Sequence, residues 1–187
     1  MFKRLSTMLR RWATIRNILM MIGGLAILLL SVLPSAYGRI STMSGGVGPI
    51  DTEFAYTAQQ AYERVAAYGP TARRYYAMLA LSLDVIFPIV FALTLGLIAA
   101  HVWNQILGTT RVARAFTLLP FGGMAADLLE NAFIATMLLG YPHEIPVVAW
   151  AASVCTILKW GLIALSSVIV ATGLIMLAMR SLGSRRG

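Results

Sequence analysis

The sequence predicts an all-α transmembrane four-helix bundle with a short interfacial helix in the first outer loop, forming a single integral membrane domain over residues 1–187. Three observations predict it. Hydrophobic residues make up 59% of the chain and charged residues only 12%, about half the ~25% charge of soluble domains. Four apolar stretches each supply the roughly 20 residues a bilayer core demands. The basic residues gather at the ends of those stretches, so the net charge of +8 reads as membrane topology and gives no reason to expect nucleic acid as a partner.

The first span is expected over residues 17–37, after Lys3, Arg4, Arg10, Arg11 and Arg16. This basic start resembles a signal peptide's, and Ala36-Tyr37-Gly38 offers a small-x-small cleavage site. The apolar run exceeds a usual h-region, so a retained anchor helix is expected.

Residues 38–75 form the one sizeable extramembrane loop. STMSGGVGPIDT is turn-rich and reads as irregular. Thr57 and Gln60 then fit a capping box, opening a helix that runs to Tyr68 and ends at Gly69-Pro70. Ala58, Tyr62 and Val65 share a face, with Phe54, Tyr56 and Tyr68 nearby. The helix is expected to lie on the bundle's outer end, and a lid over a substrate is the sharper alternative.

Thr71 is expected to cap the helix leading into the second span, 76–102, which Gly108 closes. Within it, Pro88 is expected to loosen the helix, and Ala92, Gly96 and Ala100 form a small-xxx-small ladder for close contact. Thr110 can cap the third span, 115–139. The fourth, 146–179, exceeds one perpendicular crossing and must tilt or project. Short connections make consecutive spans antiparallel neighbours. No internal repeat supports an inverted-repeat transporter.

Orientation follows the basic residues. The five before the first span join Arg111, Arg114, Arg180, Arg185 and Arg186 on one side, against Arg39, Arg64, Arg73 and Arg74 on the other. Both termini are therefore expected in the cytoplasm.

The third span carries a conflict, since ADLLENA sits within an otherwise apolar run. Asp127, Glu130 and Asn131 share one helical face. An acid at a span centre costs about 2.5–3.5 kcal/mol, which the large apolar residues offset at roughly 0.3–0.6 kcal/mol each. That face must turn into the bundle. Asp84 on the second span and Lys159 on the fourth lie at matching depth, with Ser82 and Thr156 as neighbouring donors. The expectation is one buried cluster of Asp84, Asp127, Glu130, Asn131 and Lys159. Three carboxyls facing one ammonium cannot all ionise cheaply in a low-dielectric site, so at least one is expected to keep its proton.

No CxxC, HExxH, GxGxxG or P-loop pattern occurs, and Cys155 is the lone cysteine. No metal or cofactor is expected. Of His101 and His143, His101 is the candidate ligand should a pigment or haem be bound.

Tyr76, Asp84, Phe87 and Pro88, followed by Pro120, Asp127, Glu130 and Asn131, then Tyr141-Pro142 and Lys159-Trp160, resemble a group of small bacterial four-span membrane proteins. The resemblance spans Tyr56 to Trp160. It implies that the polar residues belong together in a multi-pass protein of a bacterial inner membrane, and it brings no reaction with it.

Two function classes remain. The preferred one is a non-catalytic subunit or assembly factor of a larger membrane complex, with membrane lipids and other membrane-protein chains as partners. Its alternative is an intramembrane enzyme or binding protein for a lipid, isoprenoid or quinone. There Glu130 and Asp127 are acid/base candidates, with Asp84 and Lys159 beside them. A subunit should hold its cluster dry and internally satisfied, whereas an enzyme should open it to a pocket roofed by the 58–68 helix.

Overall fold

The computed structural model describes residues 2–183, and among them only helices and connecting turns occur. Arg185 and Arg186, counted above toward orientation, lie outside the described residues. Helix α1 (Phe2–Trp12) is followed by the first span, Ile15–Met43, built from α2 (Ile15–Ile27), a π-helical segment (Leu28–Val32) and α3 (Leu33–Met43). After the loop come α4 (Ala58–Ala67), α5 (Gly69–Ala80), α6 (Leu83–Leu107), α7 (Arg111–Gly140) and α8 (Pro146–Gly183). Four helical stretches are long and apolar enough to cross a membrane: Ile15–Met43, Gly69–Leu107, Arg111–Gly140 and Pro146–Leu182.

The N-terminal basic segment is itself a helix, which its charges obscured in the sequence. Leu5 and Leu9 on α1 pack with Leu97, Ala100, Leu118 and Phe121, while Lys3 and Arg4 stay exposed. Thr14 then caps α2 by accepting from the Asn17 N–H at 3.3 Å. The π-helical segment precedes Pro34, whose ring nitrogen cannot donate to the carbonyl four residues back, so the helix widens locally. The first span is the least buried of the four, with 6% of its apolar window covered against 44% in the second.

At the loop end the expected capping box is present. Gln60 Oε1 accepts from Thr57 N–H at 2.8 Å, and Thr57 Oγ1 accepts from Gln60 N–H at 3.2 Å. Ala61, Tyr62 and Val65 of α4 are buried against Ile40, Ile50, Tyr68, Tyr76, Ile134 and Met137, so this helix seals the bundle's end. Burial pushes the Tyr68 hydroxyl well above its ordinary value, keeping it a donor to the Gly48 carbonyl at 2.8 Å. Arg64 and Glu53 form an ion pair with both side chains about a third exposed. Solvent screening leaves such pairs little net worth, so Arg64→Gln should change the thermal midpoint by less than about 1 kcal/mol equivalent. A larger loss would mean that the arginine's weak contact with the Gly48 carbonyl matters more than the pair.

The second span corrects two expectations. Thr71 is not the cap of its helix, because α5 already starts at Gly69, whose φ of +70° turns the chain out of α4. Only glycine adopts that conformation freely, and Pro70 then fits the first turn. The break in the span lies at Leu81-Ser82, ahead of Pro88, and α6 continues through the proline. Gly108 and Thr110 end α6 and cap α7 as expected, Thr110 accepting from the Ala113 N–H at 3.2 Å.

The core of the bundle is α6, α7 and α8 packed on one another, with the first span on α6 and α5. Gly96 packs α6 tightly against α7, for a Cβ there would sit 2.9 Å from the Phe121 ring and 3.3 Å from the Thr117 carbonyl. Gly96→Ala is therefore expected to cost about 1 kcal/mol, overpacking outweighing alanine's helix preference. A fall in the thermal midpoint checks this, and an unchanged midpoint would show that Phe121 yields freely.

Candidate functional site

Asp127, Glu130 and Asn131 recur at three- and four-residue spacing on α7, which turns all three toward α6 and α8. With Asp84 and Lys159 they form one cluster in which no member is more than 7% exposed. Lys159 Nζ lies 2.6 Å from Glu130 Oε2 and 3.7 Å from Asp127 Oδ1. Thr156, one turn earlier on α8, donates to Glu130 Oε1 at 2.6 Å. Ser82, the other expected donor, does not reach the cluster, because its hydroxyl bonds to the Met78 carbonyl at 2.6 Å.

Asn131 and Pro88 are linked through Asp84. Pro88 has no N–H, so the carbonyl of Asp84, four residues earlier, loses its helical donor. Asn131 Nδ2 supplies the missing bond across the helix interface at 2.7 Å. The proline thus opens a carbonyl on α6, and the asparagine on α7 closes it.

Three further residues join the cluster. Asp51 sits on a 3-10 turn (Ile50–Thr52) of the outer loop that dips into the bundle, where it is 8% exposed. Its Oδ1 accepts from the Tyr76 hydroxyl at 2.5 Å, and its carbonyl accepts from Lys159 Nζ at 3.3 Å. The Tyr37 hydroxyl, on the first span, is 2.9 Å from Asp84 Oδ1 and 3.3 Å from Asp51 Oδ2, so its single proton serves the nearer Asp84. Four carboxyls therefore surround one ammonium. Tyr76 carried a signal in the motif with Asp84. Asp51 carried none, as a lone acid in a turn-rich loop is the ordinary solvated choice.

The cluster has two sides. On one, Glu130 is completely enclosed between Thr156 and Lys159. On the other, Asp51, Asp84, Asp127 and Lys159 line a pocket of about 260 Å³. Its remaining walls are Leu29, Leu33 and Tyr37 of the first span, Phe87 and Phe91 of α6, and Trp160 and Ile163 of α8, with Thr52 at its polar end. The volume far exceeds the ~30 Å³ share of one water and approaches the lower end, ~300 Å³, of ligand pockets. The roof is the Asp51-Thr52 turn, whereas α4, expected in that place, contributes no lining residue. The first span packs on α6 and α5 and has no extensive contact with α8, so the pocket's side between them is open. Leu29 and Trp160 stand half-exposed at that rim.

Within the pocket wall, Asp84 Oδ2 is buried without a hydrogen-bond partner. Buried polar atoms are rarely left so. Asp84 thus brings a carboxyl left partly unsatisfied within the chain to the wall of a largely apolar cavity.

His101 lies near the far end of α6, where its Nδ1 is 3.0 Å from the Ala13 carbonyl. A carbonyl only accepts, so Nδ1 carries the hydrogen, and the ring ties the α1–α2 connection to α6. His143 follows α7 in the exposed turn. Among the described residues no three of His, Cys, Asp or Glu are grouped to hold a metal ion. No family model matches this chain, and no curated protein or solved structure matches it either.

Proposed function

We propose that this protein binds a lipophilic, membrane-resident molecule in the pocket between the first span and α8, its polar end against Asp84 and Asp127. One observation carries the reading. Asp84, whose Oδ2 is a buried acceptor with no partner in the chain, lines a cavity whose remaining walls are mostly apolar and whose side between the first span and α8 is open. Apolar walls with a few convergent polar groups are the usual form of a small-molecule site. Lateral opening suits a ligand that partitions into the bilayer.

The same groups are placed for proton exchange with a bound molecule. Asp84 and Asp127 line the pocket and are the acid/base candidates. Glu130 lies behind Lys159, away from the cavity, and acts by fixing the ammonium. Both termini are proposed to lie in the cytoplasm, a reading supported by the basic residues around α1 and between α6 and α7, and the membrane is proposed to be a bacterial inner membrane on the motif resemblance alone.

The accessory-subunit reading is the second choice, since it expects a closed cluster with every group satisfied inside the chain. Native mass spectrometry on protein gently extracted from its own membranes separates the two. The expected result is one lipophilic ligand per chain, lost in Ile163→Trp, which fills the pocket without touching the cluster's charges. An empty chain in fixed stoichiometry with other proteins would overturn the binding reading in favour of the subunit.

A further inference from the structure

The donors and acceptors on the pocket wall are unequal. Lys159 spends its ammonium on Glu130, Asp127 and the Asp51 carbonyl. Tyr37 donates to Asp84, and Thr52 Oγ1 donates to the Pro49 carbonyl at 2.8 Å. Asp84 Oδ2 receives nothing. The charges are unequal in the same sense, because Asp51, Asp84, Asp127 and Glu130 face one lysine. The pocket is also lined by the rings of Tyr37, Phe87, Phe91 and Trp160, and aromatic faces attract cations.

We propose that the pocket selects an amphiphile with an ammonium head, which seats on Asp84 between Asp51 and Asp127 while its apolar tail leaves between the first span and α8. The proposal rests on the reading of the pocket as a binding site. An ammonium supplies both missing quantities at once, donors for the orphaned oxygen and positive charge for the surplus carboxyls. A neutral hydroxyl would supply only a donor. An anionic head would meet acids whose one nearby cation is already committed.

The test titrates dodecylammonium, dodecanol and dodecyl sulfate separately into the full chain in phosphatidylcholine nanodiscs. Occupancy is read by native mass spectrometry at equal mole fraction of each probe in the lipid. Dodecylammonium is expected to reach half-occupancy at a mole fraction at least about tenfold below that of dodecanol, the low end for a charge-assisted hydrogen bond. Dodecyl sulfate should not bind. Asp84→Asn should erase the preference and leave dodecanol binding in place. If that variant does not fold, Asp51→Asn removes a charge from the facing wall and should reduce the preference in the same way. Equal or tighter binding of dodecanol or dodecyl sulfate, with Ile163→Trp still emptying the pocket, would overturn the ammonium head and leave the pocket standing. The same holds for a preference that survives both aspartate variants. Failure of all three probes on the wild type, or binding unaffected by Ile163→Trp, would overturn the pocket reading and this proposal with it.

Discussion

Lys159→Met is expected to be the most damaging single change in the molecule, at about 3–5 kcal/mol, the range for removing one partner of a buried ion pair. Lys159 is 5% exposed and holds Glu130 at 2.6 Å and Asp127 at 3.7 Å. Methionine keeps the volume and removes the charge. Glu130, completely buried, then keeps only the Thr156 hydroxyl as partner, and the backbone of Asp51 loses its tie to α8. Isolated buried charge is far costlier than the pair. The measurement is the thermal midpoint of purified protein in detergent, alongside the yield of monodisperse chain. Glu130→Gln alone should cost less, since the amide oxygen can still accept from Lys159 while its NH2 donates to the Thr156 hydroxyl, which has the Ala152 carbonyl to donate to. The double variant Lys159→Met/Glu130→Gln should recover much of the loss. A Lys159→Met protein as stable as wild type would mean that the ammonium is not what balances these acids.

Asn131→Leu comes next, at about 1–3 kcal/mol, the desolvation cost of a buried group left without its partner. The orphan here is a backbone atom, the Asp84 carbonyl that Pro88 already deprives of its helical donor. This gives the prediction its control. In a Pro88→Ala background the alanine N–H can serve that carbonyl within α6, so Asn131→Leu should cost markedly less there. A double-mutant cycle on thermal midpoints reads the coupling. Equal costs in both backgrounds would show that Asn131 acts through Asp127, 3.4 Å away, and not through the proline's carbonyl.

The four spans and the buried charges were legible because a bilayer prices composition so steeply. About twenty apolar residues have few readings other than a crossing, and Asp127, Glu130 and Asn131 at helical spacing inside one can only turn inward. Asp84 and Lys159 followed from depth alone. Turn chemistry was legible where it uses a side chain, as at Thr57, Gln60 and Thr110. It was misread at Thr71, where Gly69 and Pro70 start the helix earlier. The break at Leu81-Ser82 carries neither glycine nor proline and so left no mark. Asp51 was invisible for a different reason. Its loop is polar and turn-forming, and only tertiary packing of Ile50 and Tyr76 decides that the acid points into the bundle. Helix α1 was hidden by its own basic residues, which topology already explained.

The sparse attachment of the first span bears on time as well as on affinity. That span forms one wall of the pocket, yet it is the least covered of the four, with a π-helical widening at mid-height that includes Leu29 and precedes Leu33. Its polar hold on the cluster is the Tyr37 hydroxyl. For the proposed ligand, affinity and exchange would therefore be governed by different parts of the chain. Depth of binding would belong to the acids on α6 and α7, whereas the speed of entry and exit would belong to how readily the first span moves away from α8. Lipids that stiffen the surrounding bilayer should slow that traffic while leaving the equilibrium largely where the acids set it.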